Sequence, residues 1–360
     1  MKRILYILLP ALLILLCACF RQTPPEAAAT PAPTASPELI EEDELILITP
    51  VPTDTPEPPT PTPEPTPTPT PSPSPTPGPS PEPSGLIGWS VGGFVPREEQ
   101  SSTETEYIGE NLHFTVSAVT DHELFRHKLT YYVTDIYLRD IRCLRTAAAK
   151  DFKSKSRDTV AKIAKRSDAL LAISGDMFNA HNHQLVIRNG EVYDTGTYDK
   201  WEVCFLYLDG TMETMTVAAY KANGPSKEVW QAWEFGPSLL DADGHALDKF
   251  PSSKVNPVNP RCAIGYYEPG HYCFVTVDGR QKHSTGLELR ELSKLMEMLG
   301  CKLAFNLDGG GSASLYWNGG IFSKPCNGGR EMADIVYLID YLDDEPSRDV
   351  DPSPSVDPSL

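Results

Sequence analysis

Cys262–Gly279 reads CAIGYYEPGHYCFVTVDG, two apolar, β-branched and aromatic runs held apart by Glu268-Pro269-Gly270. Proline fixes φ and glycine admits a positive one, so the middle is a turn and the flanks are antiparallel strands. The device recurs on both sides. LVIRNGEVY, Leu185–Tyr193, turns on Asn189-Gly190, and FLYLDGTMETM, Phe205–Met215, turns on Asp209-Gly210. Upstream, Leu112–Val119 alternates apolar with polar, and Leu129–Leu138 (LTYYVTDIYL) is rich in strand formers. Leu170–Ser174 is a short apolar run of the kind a buried strand needs, and Asp158 is placed to cap a short helix through Arg166. The period changes at Gly286–Gly300, where Leu289, Leu292, Leu295, Met296 and Leu299 share one helical face and Gly300 supplies a stop. Strand character returns at Lys302–Asp308 and at Ser312–Trp317. The pattern predicts an α+β fold, a β-rich single domain with few helices.

Composition divides the 360-residue chain into four parts: 1–21, 22–106, 107–342 and 343–360. The opening MKRILYILLPALLILLCACF has a basic start and an unbroken apolar run, the anatomy of an export signal. Its end resembles a bacterial lipobox with Cys19 as the lipidated residue behind Ala18; an uncleaved membrane anchor is the alternative, since the run approaches the ~20 residues a span needs. Either reading puts the remainder outside the cytoplasm, tethered to a membrane. From Pro50 to Pro83 every second residue is nearly always proline, interleaved with Thr, Ser and Glu. Such a segment is a disordered, extended spacer, rising about 3.1 Å per residue. The last stretch repeats Asp-Pro-Ser and reads as a second disordered tail.

The net charge of −18 belongs to those tails. Residues 22–110 carry fifteen Asp and Glu against Arg97 alone, 343–360 carry six against Arg348, and Lys2, Arg3 and Arg21 add three positive charges at the start, so residues 111–342 hold only −2. A nearly neutral domain lacks the basic face that nucleic acid requires. Its six cysteines, Cys143, Cys204, Cys262, Cys273, Cys301 and Cys326, show neither a CxxC pair nor a zinc spacing. They are expected to be mostly buried free thiols.

Charged residues cluster at strand ends, where sites are built. Asp176 follows the run ending at Ser174, Arg261 opens the first hairpin strand, and Asp278 with Arg280 closes that hairpin. Asn306-Leu307-Asp308-Gly309-Gly310-Gly311-Ser312 follows the next strand. Three glycines let backbone amides turn inward as an anion nest with the Ser312 hydroxyl beside it, although a flexible hairpin loop fits the spacing equally. No Lys follows as a P-loop needs, and the glycines do not open a helix as a dinucleotide fingerprint does, so no nucleotide cofactor is expected. His181-Asn182-His183 offers two imidazoles without an evident third ligand, so no metal is expected either. Trp230 and Trp233 are open to stacking on a sugar, to the core and to the surface alike.

Taken in order, SGDMF, VIRNG, FGPSLL, NPRCAIG, VDGR, Ser284-Thr285-Gly286 before a helix, NLDGGGS and Arg330 resemble the phosphodiester glycosidase family, across roughly residues 107–342. The resemblance implies a catalytic domain that hydrolyses the bond between a sugar's anomeric carbon, GlcNAc-like, and a phosphodiester oxygen, here on cell-wall or exported polysaccharide. It implies Asp308, Asp278 and Asp176 as catalytic carboxylates. It implies Arg261, Arg280, Asn306, Gly309, Gly310, Gly311, Ser312 and Arg330 as substrate-binding residues. Two positions depart from the pattern: Met177 stands where an aromatic residue or glycine is usual, and Glu288 stands at a helix start where Thr is usual, which predicts fraying there. A non-catalytic glycan-binding lipoprotein on the same fold is the competing reading, and a metal-dependent phosphodiesterase is a third.

Overall fold

The computed structural model describes residues 93–180, 183–251 and 253–342. The proposed anchor with Cys19, the proline-rich segment, His181-Asn182 and the acidic tail lie outside them. Among the described residues the regular elements are β1 (Ser101–Ser102), β2 (Glu106–Ile108), β3 (Leu112–Asp121), β4 (Leu129–Leu138), β5 (Leu144–Ala148), α1 (Val160–Arg166), β6 (Leu171–Ser174), β7 (Leu185–Arg188) and β8 (Glu191–Thr195). They continue with β9 (Glu202–Tyr207), β10 (Met212–Thr216), α2 (Val217–Asn223), β11 (Val229–Trp233), β12 (Arg261–Glu268), β13 (His271–Val277), α3 (Leu289–Met298), β14 (Leu303–Leu307), β15 (Leu315–Trp317), β16 (Gly320–Ile321) and β17 (Asp334–Leu338). The protein is mostly β-sheet with three α-helices among the described residues, as the alternation of its sequence predicts.

The Cys262–Gly279 hairpin is β12–β13, and it sits inside a seven-stranded antiparallel sheet ordered β1-β2-β3-β4-β13-β12-β14. Two five-stranded sheets accompany it, β10-β9-β11-β7-β8 and β16-β15-β6-β17-β5. Successive side chains of a strand point to opposite faces, and β4, β12 and β13 use both. Tyr132, Ile136, Cys262, Ile264, Tyr272 and Phe274 join the main core with Ile173, Leu315, Val336 and Trp233 of the smaller sheets. Their alternates, Leu129, Ala263, Cys273, Val275 and Val277, pack instead against Leu289, Leu292, Leu295 and Met296 of α3. Trp230 and Trp233 are both core residues, and the Trp230 indole donates to the Leu144 carbonyl at 2.7 Å. Neither offers a face to a sugar.

Three local expectations change. The start of α3 is held rather than loose, because the Glu288 amide donates to the Glu291 side chain at 2.8 Å. Asp158 does not occupy the cap position of α1, which is Thr159; it accepts from the Thr159 amide and pairs with Arg166 at 2.7 Å and Lys162 at 3.2 Å. Residues Gly310–Ser312 form one turn of 3-10 helix, so strand begins only at Leu315. The cause is local: the Ser312 amide donates back to the Gly309 carbonyl at 3.1 Å, which closes a turn before a strand can start. All six described cysteines are free and buried.

Candidate functional site

The sheet registers bring the sequence clusters to one place. Arg261 pairs with Val277 and Cys262 with Leu307, so the start of β12 lies beside the ends of β13 and β14. Asp278 and Asp308 therefore leave the same edge of the large sheet, two strand spacings or about 10 Å apart at the backbone. In the β6 sheet, Leu315 pairs with Ile173 and Ile335 with Ser174, which sets Asp176 at the matching edge. The two sheets are stitched there: the Asp308 amide donates to the Gly175 carbonyl at 2.9 Å, and the Ser174 hydroxyl donates to the Asp308 carbonyl at 2.8 Å.

The Asp308 side chain is buried behind the glycine turn. Ser312 Oγ donates to its Oδ2 at 2.6 Å, and Arg330 Nη2 donates to Oδ1 and Oδ2 at 3.0 and 2.9 Å. Arg330 Nε also donates to Ser312 Oγ at 2.6 Å, so carboxylate, hydroxyl and guanidinium form a closed triangle. Burial pushes the Asp308 carboxyl above its ordinary value, and the Ser312 hydroxyl and Arg330 oppose that rise. Arg330 is half-exposed, anchored through its own amide to the Gly311 carbonyl at 2.9 Å. Arg280 flanks the turn from the other side, its Nη2 3.4 Å from the position a β-carbon on Gly310 would take.

The glycines serve close approach as much as anion binding. A β-carbon on Gly309 would lie 2.6 Å from the Pro260 carbonyl oxygen, and Gly310 has φ 60°. The Gly310 amide donates to that Pro260 carbonyl at 2.8 Å, and the Ser312 amide is engaged within the turn. Two of the amides expected to face an anion are thus occupied by the fold.

Asp278 is also buried. Its Oδ1 accepts the Lys324 amide at 3.0 Å, while Oδ2 accepts the Tyr132 hydroxyl at 3.1 Å and stands 3.0 Å from His283 Nε2. Ser284 Oγ donates to the Asp278 carbonyl at 2.6 Å, which ties the Ser-x-Gly segment to the same corner. The Asp278 side chain is 1 % exposed and that of His283 is 36 % exposed. Arg280 Nη2 donates to Asn259 Oδ1 at 2.5 Å.

Asp176 belongs to a buried charge cluster. Arg188 Nη2 donates to its Oδ1 at 2.7 Å and the Glu234 amide donates to its Oδ2 at 2.8 Å. Arg188 is itself fully buried, also donating to the Ile187 and Ala232 carbonyls, and lies 3.8 Å from Asp334. One guanidinium facing two carboxyls leaves one of them without compensation. Burial and the adjacent Asp176 carboxylate push Asp334 well above the carboxylate range, with Arg188 opposing. Burial likewise raises Glu234 from 4.5 to about 7; its side chain accepts the Leu185 amide while Oε1 has no partner among the described residues. Asp334 also accepts the Met177 amide at 3.1 Å, and Met177 has φ 55°. Glycine adopts that left-handed backbone freely, which accounts for glycine being a usual residue there.

Two residues expected to bind substrate are held by the fold instead. Arg261 is 2 % exposed; its Nε donates to the Leu287 carbonyl at 2.8 Å, and its Nη2 to the carbonyls of Pro257 at 2.7 Å and Asn256 at 3.3 Å. Burial lowers its pKa from 12.5 to about 10. Asn306 Nδ2 donates to the Gly236 carbonyl at 2.8 Å, pinning the FGPS turn to β14. Sequence reading missed Tyr132, Arg188, Glu234, His283 and Asp334. VIRNG and WEFGPS did hold a signal for two of them, since a charged residue at the end of an otherwise apolar run needs a partner once buried. No group of three or more His, Cys, Asp or Glu among the described residues is arranged to hold a metal ion.

Residues 167–339 match the model of the family described as phosphodiester glycosidase, a span holding every site residue named above except Tyr132. The resemblance in the motifs is thus carried by an independent match of the domain. YomE, an uncharacterized protein derived from the SPbeta prophage in Bacillus subtilis (strain 168), is 31% identical over 201 residues. Those residues are 54% of this chain and 31% of that protein, so the chain spans about a third of the length of this curated relative. Among solved structures, the zebrafish N-acetylglucosamine-1-phosphodiester alpha-N-acetylglucosaminidase catalytic domain, auto-inhibited by its pro-peptide, superposes with a TM-score of 0.53 at 19% identity. The match covers 68% of this chain and 92% of that one, and it establishes likeness of fold.

Proposed function

We propose that the protein is a glycosidase-type hydrolase that cleaves the bond between a sugar's anomeric carbon and a phosphodiester oxygen. The observation that carries the reading is the pair of exposed guanidiniums, Arg280 and Arg330, flanking the Gly309–Gly311 turn with the buried Asp308 carboxyl directly behind it. Guanidinium forks suit the oxygens of a phosphodiester. The departing phosphate is already a weak base, so the burden falls on activating water at the anomeric carbon and on stabilising an oxocarbenium-like transition state. Asp308 orients Arg330 and Ser312 and places negative charge beside that centre. Asp278 lies along the same sheet edge, and Asp176 shapes the wall between the two sheets.

The finer parts of the proposal rest on sequence. The sugar is GlcNAc-like, and the substrate is a cell-wall or exported polysaccharide. The chain acts outside the cytoplasm, held to a membrane through Cys19 or an N-terminal helix. No helix among the described residues is long and apolar enough to cross a membrane. Incubating the full chain with UDP-GlcNAc, with and without EDTA, tests the reading through released sugar. Release that EDTA leaves intact is expected; no release favours a glycan-binding role, and release abolished by EDTA favours a metal-dependent phosphodiesterase.

A further inference from the structure

We infer that His283, oriented by Asp278, is the proton acceptor that activates the attacking water, so that Asp278 acts through the imidazole rather than on the substrate. This deepens the hydrolase reading and rests on it. Both oxygens of Asp278 are engaged, by the Lys324 amide, the Tyr132 hydroxyl and His283, and its side chain is 1 % exposed. A carboxylate so enclosed has no room for a water or a sugar. Of the two described side chains bonded to it, Tyr132 is buried and His283 reaches solvent at 36 % exposure.

The direction of the dyad follows from the acceptor. A carboxylate oxygen only accepts, so the proton between the two groups sits on Nε2 and the neutral ring carries its lone pair on Nδ1. Among the described residues Nδ1 makes no hydrogen bond to the protein. The turn holding His283 is pinned at both ends: the Gln281 amide donates to the Ser284 carbonyl at 3.0 Å, the Arg280 amide to the Thr285 carbonyl at 2.9 Å, and Ser284 is bonded to Asp278 and Thr130. Gln281 Nε2 donates to the Lys324 carbonyl at 2.6 Å, on the segment that runs to Arg330. The base and both guanidiniums therefore share one bonded framework. An imidazole whose second nitrogen rests on a carboxylate is a recurrent arrangement for a general base.

In the step, a lone pair of the water oxygen forms a bond to the anomeric carbon while the bond from that carbon to the phosphate oxygen breaks. The breaking pair leaves with the phosphate, as a monoester. One water proton passes to Nδ1 of His283, whose charge Asp278 stabilises, and then to the departing phosphate or to solvent. Atoms and charge balance with water as the only co-reactant.

The test compares His283→Ala, His283→Gln and Asp278→Asn with the wild-type full chain on UDP-GlcNAc, after thermal melts confirm folding. Loss of a general base costs roughly 100- to 10,000-fold in turnover. His283→Ala is expected to lose kcat in that range with KM little changed, and added imidazole is expected to restore part of it. His283→Gln keeps a donor to Asp278 and is expected to be equally slow. Wild-type turnover in His283→Ala, or a loss that imidazole leaves unrelieved, overturns the proposal. If the wild type releases no sugar, the hydrolase reading fails separately, and the histidine is then read by long-range 1H–15N NMR. Ring nitrogens of His283 that shift on saturation with UDP-GlcNAc keep it as the group meeting the ligand; unshifted nitrogens overturn it.

Discussion

Asp176 and Asp334 share the single buried guanidinium of Arg188, yet they are not equivalent. Asp176 holds the short ion pair and the Glu234 amide, whereas burial and the adjacent Asp176 carboxylate push Asp334 well above the carboxylate range. Asp334→Asn, an isostere of the uncharged form that this upward shift favours, is expected to change stability by less than about 1 kcal/mol. Asp176→Asn leaves the Arg188 charge buried without its counter-ion, and breaking such a pair costs about 3–5 kcal/mol. Urea melts of the two variants check the order, and equal losses would contradict it. Glu234 gives a pH signature. Its folded value of about 7 lies above the ordinary 4.5, so its share of stability is intact below pH 4.5 and is lost as pH rises through 7. The loss amounts to up to about 3 kcal/mol. Glu234→Gln is expected to gain on the wild type between pH 5 and pH 8; a constant difference in urea midpoint would rule the assignment out. Single-residue chemistry of this kind was only half legible. Asp176, Asp278 and Asp308 stand out because acids follow strand ends, but Arg188 and Glu234 lie inside apolar strings, and their partners come from distant segments.

The elements were read more fully, because period 2 and turn residues are local signals. β4 and the hairpins at Asn189-Gly190, Asp209-Gly210 and Pro269-Gly270 stand where alternation and turn chemistry put them. The glycine turn was read least well. Spacing could not distinguish an anion nest from slack, since the answer depends on Pro260, forty-nine residues before Gly309 in the chain and touching it in the fold. Gly309→Ala sets a β-carbon against a backbone oxygen that has no side chain to swing aside. Overpacking of this sort costs about 1–3 kcal/mol, and here it also shifts Asp308 relative to Arg280. The expected result is a lowered melting midpoint and reduced turnover, against Gly320→Ala, where nothing lies within 4 Å, as control. Equal behaviour of the two variants would show that the close approach is unimportant. Arg261 carries the same lesson: a motif arginine at a strand end reads as a phosphate ligand until three loop carbonyls are found around it.

At the scale of the molecule, the large antiparallel sheet and the β6 sheet share one core and are bonded to each other through Asp308, Gly175 and Ser174, and the candidate site is built on that seam. Which strand edges meet is a long-range outcome that no local pattern encodes, although the order of the motifs drew Asp176, Asp278 and Asp308 into one family likeness. All residues of the site lie between Tyr132 and Asp334, so removing residues 1–92 is expected to leave kcat/KM on a soluble phosphodiester unchanged. A marked fall would tie the leader to catalysis. The central claim is that the carbon–oxygen bond of a sugar phosphodiester breaks, and hydrolysis in 18O-labelled water tests it most directly. Mass spectrometry of the released phosphate monoester should find no label, because water adds to the sugar. Label in the phosphate would mean attack at phosphorus and would contradict the account.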